Sequence, residues 1–292
     1  MKMFHMDVPG SAKATLEEYL LDCEITLGQE SDRPAVLVCP GGGYLYCSPR
    51  EGEPIALSYA AKGFHAFVLR YSVGYDAAGF APLKEVSWAI GYIRENAKKW
   101  HIAADKIAVC GFSAGGHLAL SSGLLAENKP NAMILGYPAT SAPNMPGMNF
   151  MLKLLEGKND VTDEDAKKYD LVPQITKDAP PVFLAATAED LLTTYGALPV
   201  AKAYSDLGRQ YEQHVFQFGT HGYSLANEVT AAGSFQVIDS ALAQRQDLSV
   251  QWLHRGFGKP VFTDKSTSKM AQIMKDMGLL DGTYKGKGAE FA

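Results

Sequence analysis

The chain has 292 residues, of which 47% are hydrophobic and 20% are charged, and its formal net charge is −5. This composition is typical of a folded globular protein and excludes disordered, collagen-like and coiled-coil proteins. The excess of acidic side chains, without long runs of one charge, disfavours binding to nucleic acid or to an anionic membrane surface.

Targeting and metal-binding signals are missing from the sequence. No apolar stretch approaches the roughly 18 residues that a membrane-spanning helix needs, and residues 1–13 lack the apolar centre of a secretory signal. The four cysteines (Cys23, Cys39, Cys47 and Cys110) form no Cys-x-x-Cys pair and no metal-ligand spacing. We therefore expect a cytoplasmic protein with reduced thiols that needs no cofactor and no metal.

Short apolar segments alternate with helical patterns along the first 258 residues. Strands are predicted within 16–27 and at 35–39, 64–71, 106–110, 132–136, 182–186 and 213–218, and helices at 53–62, at 82–100 and from His117 onward. This alternation predicts an α/β fold in which a mainly parallel central sheet is flanked by helices.

Two segments depart from this alternation. Residues 140–177 contain three prolines with several methionines and leucines, and they are expected to form a small insertion, or lid, between core strands. After Gly258 the pattern weakens, so residues 1–258 are predicted to be a single domain. Residues 259–292 are predicted to be a tail or oligomerisation arm with one short helix at 269–279.

The strongest motif is GFSAG at residues 111–115, directly after a predicted strand and before a predicted helix. A turn this sharp needs small residues beside the nucleophile, and it exposes the serine hydroxyl at the carboxyl end of the sheet. Ser113 is therefore the candidate nucleophile. The backbone N–H of Ala114, at the start of the helix, is a candidate donor to an anion. The alternative is a glycine-rich turn with a structural serine.

A serine nucleophile needs a base and an acid that orients the base. His214 falls within a predicted strand and His254 on a predicted helix, whereas His221 lies in a loop directly after a strand. His221 is therefore the candidate base, and the alternative is a turn histidine. Asp190 follows the strand at 182–186 and is the candidate acid, with Glu189 as the alternative.

A second glycine-rich turn, PGGGY at residues 40–44, follows the strand that ends at Cys39. Glycines leave backbone N–H groups uncovered and allow a substrate oxygen to approach closely. Gly42 and Gly43, together with Ala114, are the candidate oxyanion hole. A phosphate loop is disfavoured, because no Gly-Lys-Ser/Thr follows and no G-x-G-x-x-G pattern opens a helix here.

These motifs resemble those of the α/β-hydrolase esterases, in the acetylesterase and lipase-like branch related to the hormone-sensitive lipase group. The motifs are similar to those of small bacterial enzymes described as acetylxylan or feruloyl esterase-like. The resemblance covers residues 16–258 and is carried by the stretches 33–44, 50–54, 69–72, 111–119 and 219–226. It implies the α/β-hydrolase fold and a triad of Ser113, Asp190 and His221. Many relatives have histidine at the position of Pro40.

The resemblance also implies a substrate of modest size, such as a short-chain ester or an acetylated oligosaccharide. Tyr44, Tyr46 and Tyr223 are candidate residues lining its pocket. The predicted function is that of a serine ester hydrolase that removes short acyl groups, with acetyl the expected one. Two alternatives are a small amidase, formamidase or peptidase with the same triad, and a non-catalytic binding protein on a hydrolase scaffold.

Overall fold

The computed structural model describes residues 1–23, 32–140, 145, 147–231, 237–256 and 274–276. Within them, one eight-stranded sheet has the order β1-β2-β4-β3-β5-β6-β7-β8. The strands are Lys2–Asp7 (β1), Thr15–Leu20 (β2), Arg33–Cys39 (β3), His65–Arg70 (β4), Ile102–Phe112 (β5), Ala132–Gly136 (β6), Val182–Thr187 (β7) and Tyr211–Phe216 (β8).

The sheet is mainly parallel, as the sequence predicts. β3 to β8 pair in parallel, while β1 pairs antiparallel with β2 and β2 antiparallel with β4. Every residue of β6 and β7 is buried. Strands that are covered on both faces have continuous apolar sequences, and these two segments show that pattern. The carboxyl ends of the parallel strands meet at one edge of the sheet.

Helices flank this sheet. They are Glu53–Ala60 (α1), Ala81–Glu95 (α2), Ala97–Trp100 (α3), Ala114–Leu124 (α4), Met148–Glu156 (α5), Asp163–Tyr169 (α6), Ala197–Asp206 (α7) and Ser240–Gly256 (α8), with 3-10 turns at Pro49–Glu51, Gly74–Phe80 and Val172–Gln174. α1 packs on β3 and β4, α4 on β5 and β6, and α7 on β7 and β8.

Two helix predictions differ from the structure. The helix predicted at 82–100 is two helices, because Asn96 leaves the helical conformation at φ −88° and ψ 3° and its side-chain amide bonds back to the carbonyl of Tyr92. α4 begins at Ala114 rather than at His117, because the chain enters the helix immediately after Ser113.

The insertion predicted between core strands contains α5 and α6. Thr162 and Asp165 form a reciprocal capping box that starts α6. α5 buries Met148, Met151 and Leu155, and it packs against the turn Gly74–Phe80. The insertion is thus a packed part of the compact unit Met1–Trp252.

A second unit spans Leu253–Ala292, but only residues 253–256 and 274–276 of it are described. The tail and most of the helix predicted at 269–279 lie outside the described residues, and both stay predictions. In the described part of the chain, no helix has the length and apolar content needed to span a membrane. The same part holds no group of three His, Cys, Asp or Glu side chains arranged to bind a metal.

Candidate active site

Four loops meet at the carboxyl edge of the sheet, after β3, β5, β7 and β8. They carry the glycine turn at residues 40–44, Ser113, Asp190 and His221 in that order. In α/β sheets the carboxyl edge is where the loops are free to build a binding site. The topology therefore brings together residues that are far apart in the sequence.

Ser113 stands in a strained turn between β5 and α4. Its φ of 53° and ψ of −118° lie outside the regions that a non-glycine residue ordinarily adopts. A Cβ at Gly111 would lie 2.0 Å from the carbonyl oxygen of Gly115, and one at Gly115 would lie 2.0 Å from the carbonyl oxygen of Cys39. Only glycine fits at these two positions, which is why a glycine stands two positions before the serine and another two positions after it.

A chain of two hydrogen bonds links the three predicted triad residues. The Oγ of Ser113 lies 2.9 Å from Nε2 of His221, and Nδ1 of His221 lies 2.8 Å from Oδ2 of Asp190. The carboxylate only accepts, so Nδ1 carries the imidazole proton and Nε2 is free to accept the proton of the serine hydroxyl. The Asp190 side chain is 1% exposed and that of His221 is 32% exposed.

Glu189, the alternative acid, points elsewhere. Its Oε2 accepts the backbone N–H of Gly219 at 2.9 Å, at the start of the loop that carries His221. The Thr187 hydroxyl donates to the carbonyl of the same glycine. The geometry therefore favours Asp190 as the partner of the imidazole and gives Glu189 the task of fixing the loop.

The glycine turn after β3 presents backbone N–H groups next to the serine. Gly42 and Gly43 have φ values of 128° and 63°, and a Cβ at Gly42 would lie 2.0 Å from the carbonyl oxygen of Tyr46. Among the described residues, no hydrogen bond uses the N–H of Gly42 or of Gly43. Both groups remain available to an incoming oxygen, as does that of Ala114 in the first turn of α4.

The two glycines line a cleft of about 280 Å³ together with Ser113 and His221. Its lining consists of Gly42, Gly43, Tyr46, Ser48, Pro49, Arg50, Glu51, Ser113, His221 and Gly222. A larger cleft, of about 540 Å³, lies beside β1 and β2 and includes Lys2, Tyr92 and Trp100. None of the predicted catalytic residues lines the larger cleft, so the smaller one is the candidate active site.

The prediction that Tyr44 and Tyr223 bind substrate is not supported, because both side chains are fully buried. Tyr44 has φ 58°, and its hydroxyl bonds to Nδ1 of His117 at 2.9 Å beneath the cleft. The ring of Tyr223 packs edge-on against that of Tyr137, with centroids 4.5 Å apart. Tyr46, 49% exposed, is the tyrosine that lines the cleft.

His117, on α4, connects three parts of the molecule. Burial lowers its pKa to about 4, so the ring is neutral near pH 7. Its Nε2 lies 3.0 Å from the carbonyl oxygen of Tyr169, an acceptor, so Nε2 carries the proton and Nδ1 accepts the Tyr44 hydroxyl. The ring thereby joins α4 to the loop after β3 and to the end of α6.

Two residues beside the cleft were missed by the sequence reasoning. Glu51 is 3% exposed and Tyr137 is 1% exposed, and a direct hydrogen bond joins their side chains. The only sequence signal was the stretch REGEP at 50–54, to which no role was assigned. Tyr137 carried no signal at all, because it follows a strand like many ordinary core residues.

Comparisons with known proteins agree with this architecture. The family BD-FAE matches residues 21–144. An α/β-hydrolase enzyme from a Medee basin deep-sea metagenome library is 37% identical with a TM-score of 0.75, over 88% of this chain and 98% of that one. Endo-1,4-beta-xylanase B of Butyrivibrio fibrisolvens is 32% identical, over 69% of this chain and 34% of its own length. Acetylxylan esterase of Xylanibacter ruminicola is 26% identical, over 65% of this chain and 41% of its own length.

A serine in a strand–turn–helix corner, on a mainly parallel sheet flanked by helices, defines the α/β-hydrolase fold. The chain belongs to the α/β-hydrolase family. The family and the fold predicted from the sequence are thereby confirmed. The chain spans about a third to two fifths of the length of the two curated relatives described above.

Proposed function

We propose that this chain is a serine carboxylic-ester hydrolase that removes short acyl groups, acetyl above all, from small or carbohydrate esters. The observation that carries the proposal is the hydrogen-bonded chain from Ser113 through His221 to Asp190. It supplies a nucleophile, a base in the required tautomer and a buried carboxylate that holds the base.

In this mechanism, Oγ of Ser113 attacks the ester carbonyl carbon while Nε2 of His221 takes the hydroxyl proton. The carbonyl π bond opens, and the resulting oxyanion accepts hydrogen bonds from the N–H groups of Gly42, Gly43 and Ala114. The intermediate then collapses, the ester C–O bond breaks, and His221 returns the proton to the leaving alcohol. An acyl group remains on Ser113.

Water completes the cycle in the same site. Nε2 of His221 takes a proton from water, and the water oxygen attacks the acyl carbon. The second intermediate expels Ser113, which regains its proton from His221, and the free acid leaves. Asp190 stays ionised throughout and stabilises the imidazolium formed in each half of the reaction.

The size of the cleft supports a short acyl group. About 280 Å³ is just below the range of ligand pockets, roughly 300–1,000 Å³. Two glycines and the exposed ring of Tyr46 form part of its wall. The acetyl preference also draws support from the acetylxylan esterase of X. ruminicola among the relatives.

The test is hydrolysis of p-nitrophenyl acetate, butyrate and octanoate by the chain and by Ser113→Ala. We expect acetate to be the best substrate, octanoate to be poor, and kcat to fall about 10⁴-fold or more in the variant. Release of acetate from acetylated xylo-oligosaccharides, compared with cleavage of N-formyl amides, separates the ester from the amide reaction. Equal rates for the chain and for Ser113→Ala would contradict the proposal.

A fluorophosphonate probe gives a second readout that does not depend on the substrate. The probe forms a covalent bond only with an activated serine, so a non-catalytic scaffold stays unlabelled. We expect a single adduct on the peptide that contains Ser113 and none in Ser113→Ala. Absence of the adduct in the unmodified chain would favour the binding-protein alternative.

A further inference from the structure

Glu51 is a buried acid beside the nucleophile that the triad mechanism does not use. Its side chain lines the active-site cleft, yet the residue is only 3% exposed. Oε2 accepts the backbone N–H of Gly41 at 2.8 Å, immediately before the oxyanion-hole glycines. A Cβ at Gly41 would lie 2.7 Å from this oxygen and 2.8 Å from the carbonyl oxygen of Phe112. The loop after β3 is thus held against Glu51 on one side and the nucleophile turn on the other.

The second carboxylate oxygen of Glu51 binds the other half of the site. Oε1 accepts the hydroxyl of Tyr137 at 2.5 Å, and this hydroxyl in turn accepts the backbone N–H of Ser224 at 3.0 Å. The ring of Tyr137 meets the imidazole of His221 edge-on, with centroids 5.0 Å apart. Tyr137 itself is held at φ 37°, a conformation that a tyrosine rarely adopts.

Arg50, the neighbour of Glu51, binds the histidine loop as well. Its Nη2 donates to the carbonyl of Gly222 at 2.9 Å, one residue beyond His221. Its own carbonyl accepts the Ser224 hydroxyl at 2.7 Å. The short turn Pro49–Glu51 therefore contacts both the oxyanion loop and the loop that carries the base.

We propose that Glu51 is a positioning residue for the hydrolytic reaction, acting through Gly41 on the oxyanion hole and through Tyr137 on His221. The inference rests on the proposed function. It adds a residue to the site that acts through Gly41 and Tyr137 rather than on the reacting atoms. Its carboxylate fixes the distance between two loops whose donors and base must act on the same carbonyl group.

The physical reason lies in how an oxyanion hole works. Its donors stabilise the charge that develops in the transition state, and they do so only if they already point to where that charge appears. Hydrogen bonds to a carboxylate are about twice as strong as neutral ones. A displacement of about 1 Å in such a group costs roughly 100-fold in rate. Loss of the Glu51 contacts should therefore lower kcat and leave KM nearly unchanged.

The test uses Glu51→Gln, Tyr137→Phe and the double variant in the full chain, with p-nitrophenyl acetate as substrate. The amide of Gln keeps the shape of the side chain but provides one acceptor oxygen, whereas Glu51 needs two. We expect kcat to fall about 10- to 100-fold in each single variant, with KM within about threefold. Both substitutions break the same hydrogen bond between Glu51 and Tyr137. The double variant should therefore be no slower than the slower single variant.

Glu85→Gln is the matched control. Glu85 is 5% exposed, and its carboxylate accepts hydrogen bonds from the Ser72 N–H and hydroxyl and from the Ser11 hydroxyl. None of these partners belongs to the triad or the oxyanion hole. We expect this variant to have a lower Tm but an unchanged kcat, which separates positioning from general loss of stability.

The outcomes separate the two proposals. An unmodified chain that neither hydrolyses the ester nor reacts with the fluorophosphonate probe contradicts the proposed function, and the positioning role with it. An active chain whose Glu51→Gln and Tyr137→Phe variants keep full kcat overturns the positioning role alone. The positioning role is also overturned if Glu85→Gln loses as much kcat as these variants at an equal loss of Tm. If Glu51→Gln does not fold, the test rests on Tyr137→Phe, in which kcat should fall while KM stays nearly unchanged.

Discussion

The imidazole of His221 binds Asp190 at 2.8 Å and not Glu189, although the two acids are adjacent in the chain. Glu189 instead accepts the N–H of Gly219 at the start of the same loop. One acid thus holds the ring of the base and its neighbour holds the backbone that carries the base. Sequence position alone does not separate these two roles.

Replacing each acid by its amide tests whether Asp190 and Glu189 have these different roles. Asp190→Asn should lower kcat about 10⁴-fold, because an amide in place of the carboxylate favours the wrong imidazole tautomer. Glu189→Gln keeps an acceptor oxygen for Gly219 and should lower kcat far less. The measurement is steady-state hydrolysis of p-nitrophenyl acetate. A larger loss in Glu189→Gln than in Asp190→Asn would reverse the assignment.

Alanine substitutions at the two oxyanion glycines should differ in severity. At Gly42 a Cβ would lie 2.0 Å from the carbonyl of Tyr46, so the loop must move, and we expect kcat to fall about 100-fold or more. At Gly43 a Cβ meets no atom within 4 Å, and the left-handed φ costs about 1–2 kcal/mol of stability. Kinetics and thermal unfolding of the two variants provide the comparison. Similar kcat values in both would contradict the role of the close approach at Gly42.

Tyr44 and Tyr46 are predicted to respond in opposite ways. Tyr44→Phe leaves Nδ1 of the buried His117 without its donor, which should cost about 1–3 kcal/mol of unfolding free energy with little change in KM. Tyr46→Ala opens the wall of the cleft and should change KM and the preference between acetate and butyrate. Denaturant unfolding and ester kinetics check both. A stable Tyr44→Phe with a raised KM would restore Tyr44 as a substrate-binding residue.

The free energy of unfolding should fall as the pH is lowered from 6.5 to 4. Burial lowers the pKa of His65 and of His117 to about 4, so in this window the unfolded chain binds more protons than the folded one. Each histidine contributes a slope of about 1.4 kcal/mol per pH unit, with full stability above pH 6.5. Denaturant unfolding at pH 7, 6 and 5 gives the slope.

His65→Asn is the control for the pH dependence, because the asparagine oxygen replaces Nδ1 as acceptor for the Leu21 N–H. This variant should reduce the slope without affecting the triad. An unchanged slope in His65→Asn would show that other groups set the pH dependence.

The sequence was informative where one local rule decides the structure. The corner at residues 111–115 and the buried strand 35–39 follow from glycine sterics and from continuous apolar segments. Ser113, His221 and Asp190 could be proposed because each follows a predicted strand, and the carboxyl ends of parallel strands meet at one edge. Their meeting in space is a consequence of topology rather than of sequence spacing.

Other features depend on contacts that the sequence does not encode locally. The ring of Tyr44 is buried and its backbone is left-handed, and no pattern around residue 44 indicates either feature. Glu51 and Tyr137 are 86 positions apart, and their hydrogen bond exists only once β3 and β6 lie in one sheet. The break at Asn96 likewise depends on a side-chain bond to Tyr92 rather than on a proline or glycine.

The contact between His117 and Tyr169 has a consequence for substitutions at position 169. The imidazole binds the main-chain carbonyl of residue 169 and not its side chain, so this bond does not depend on which amino acid occupies that position. The end of α6 therefore stays attached to the helix that follows Ser113 when the side chain at position 169 is exchanged.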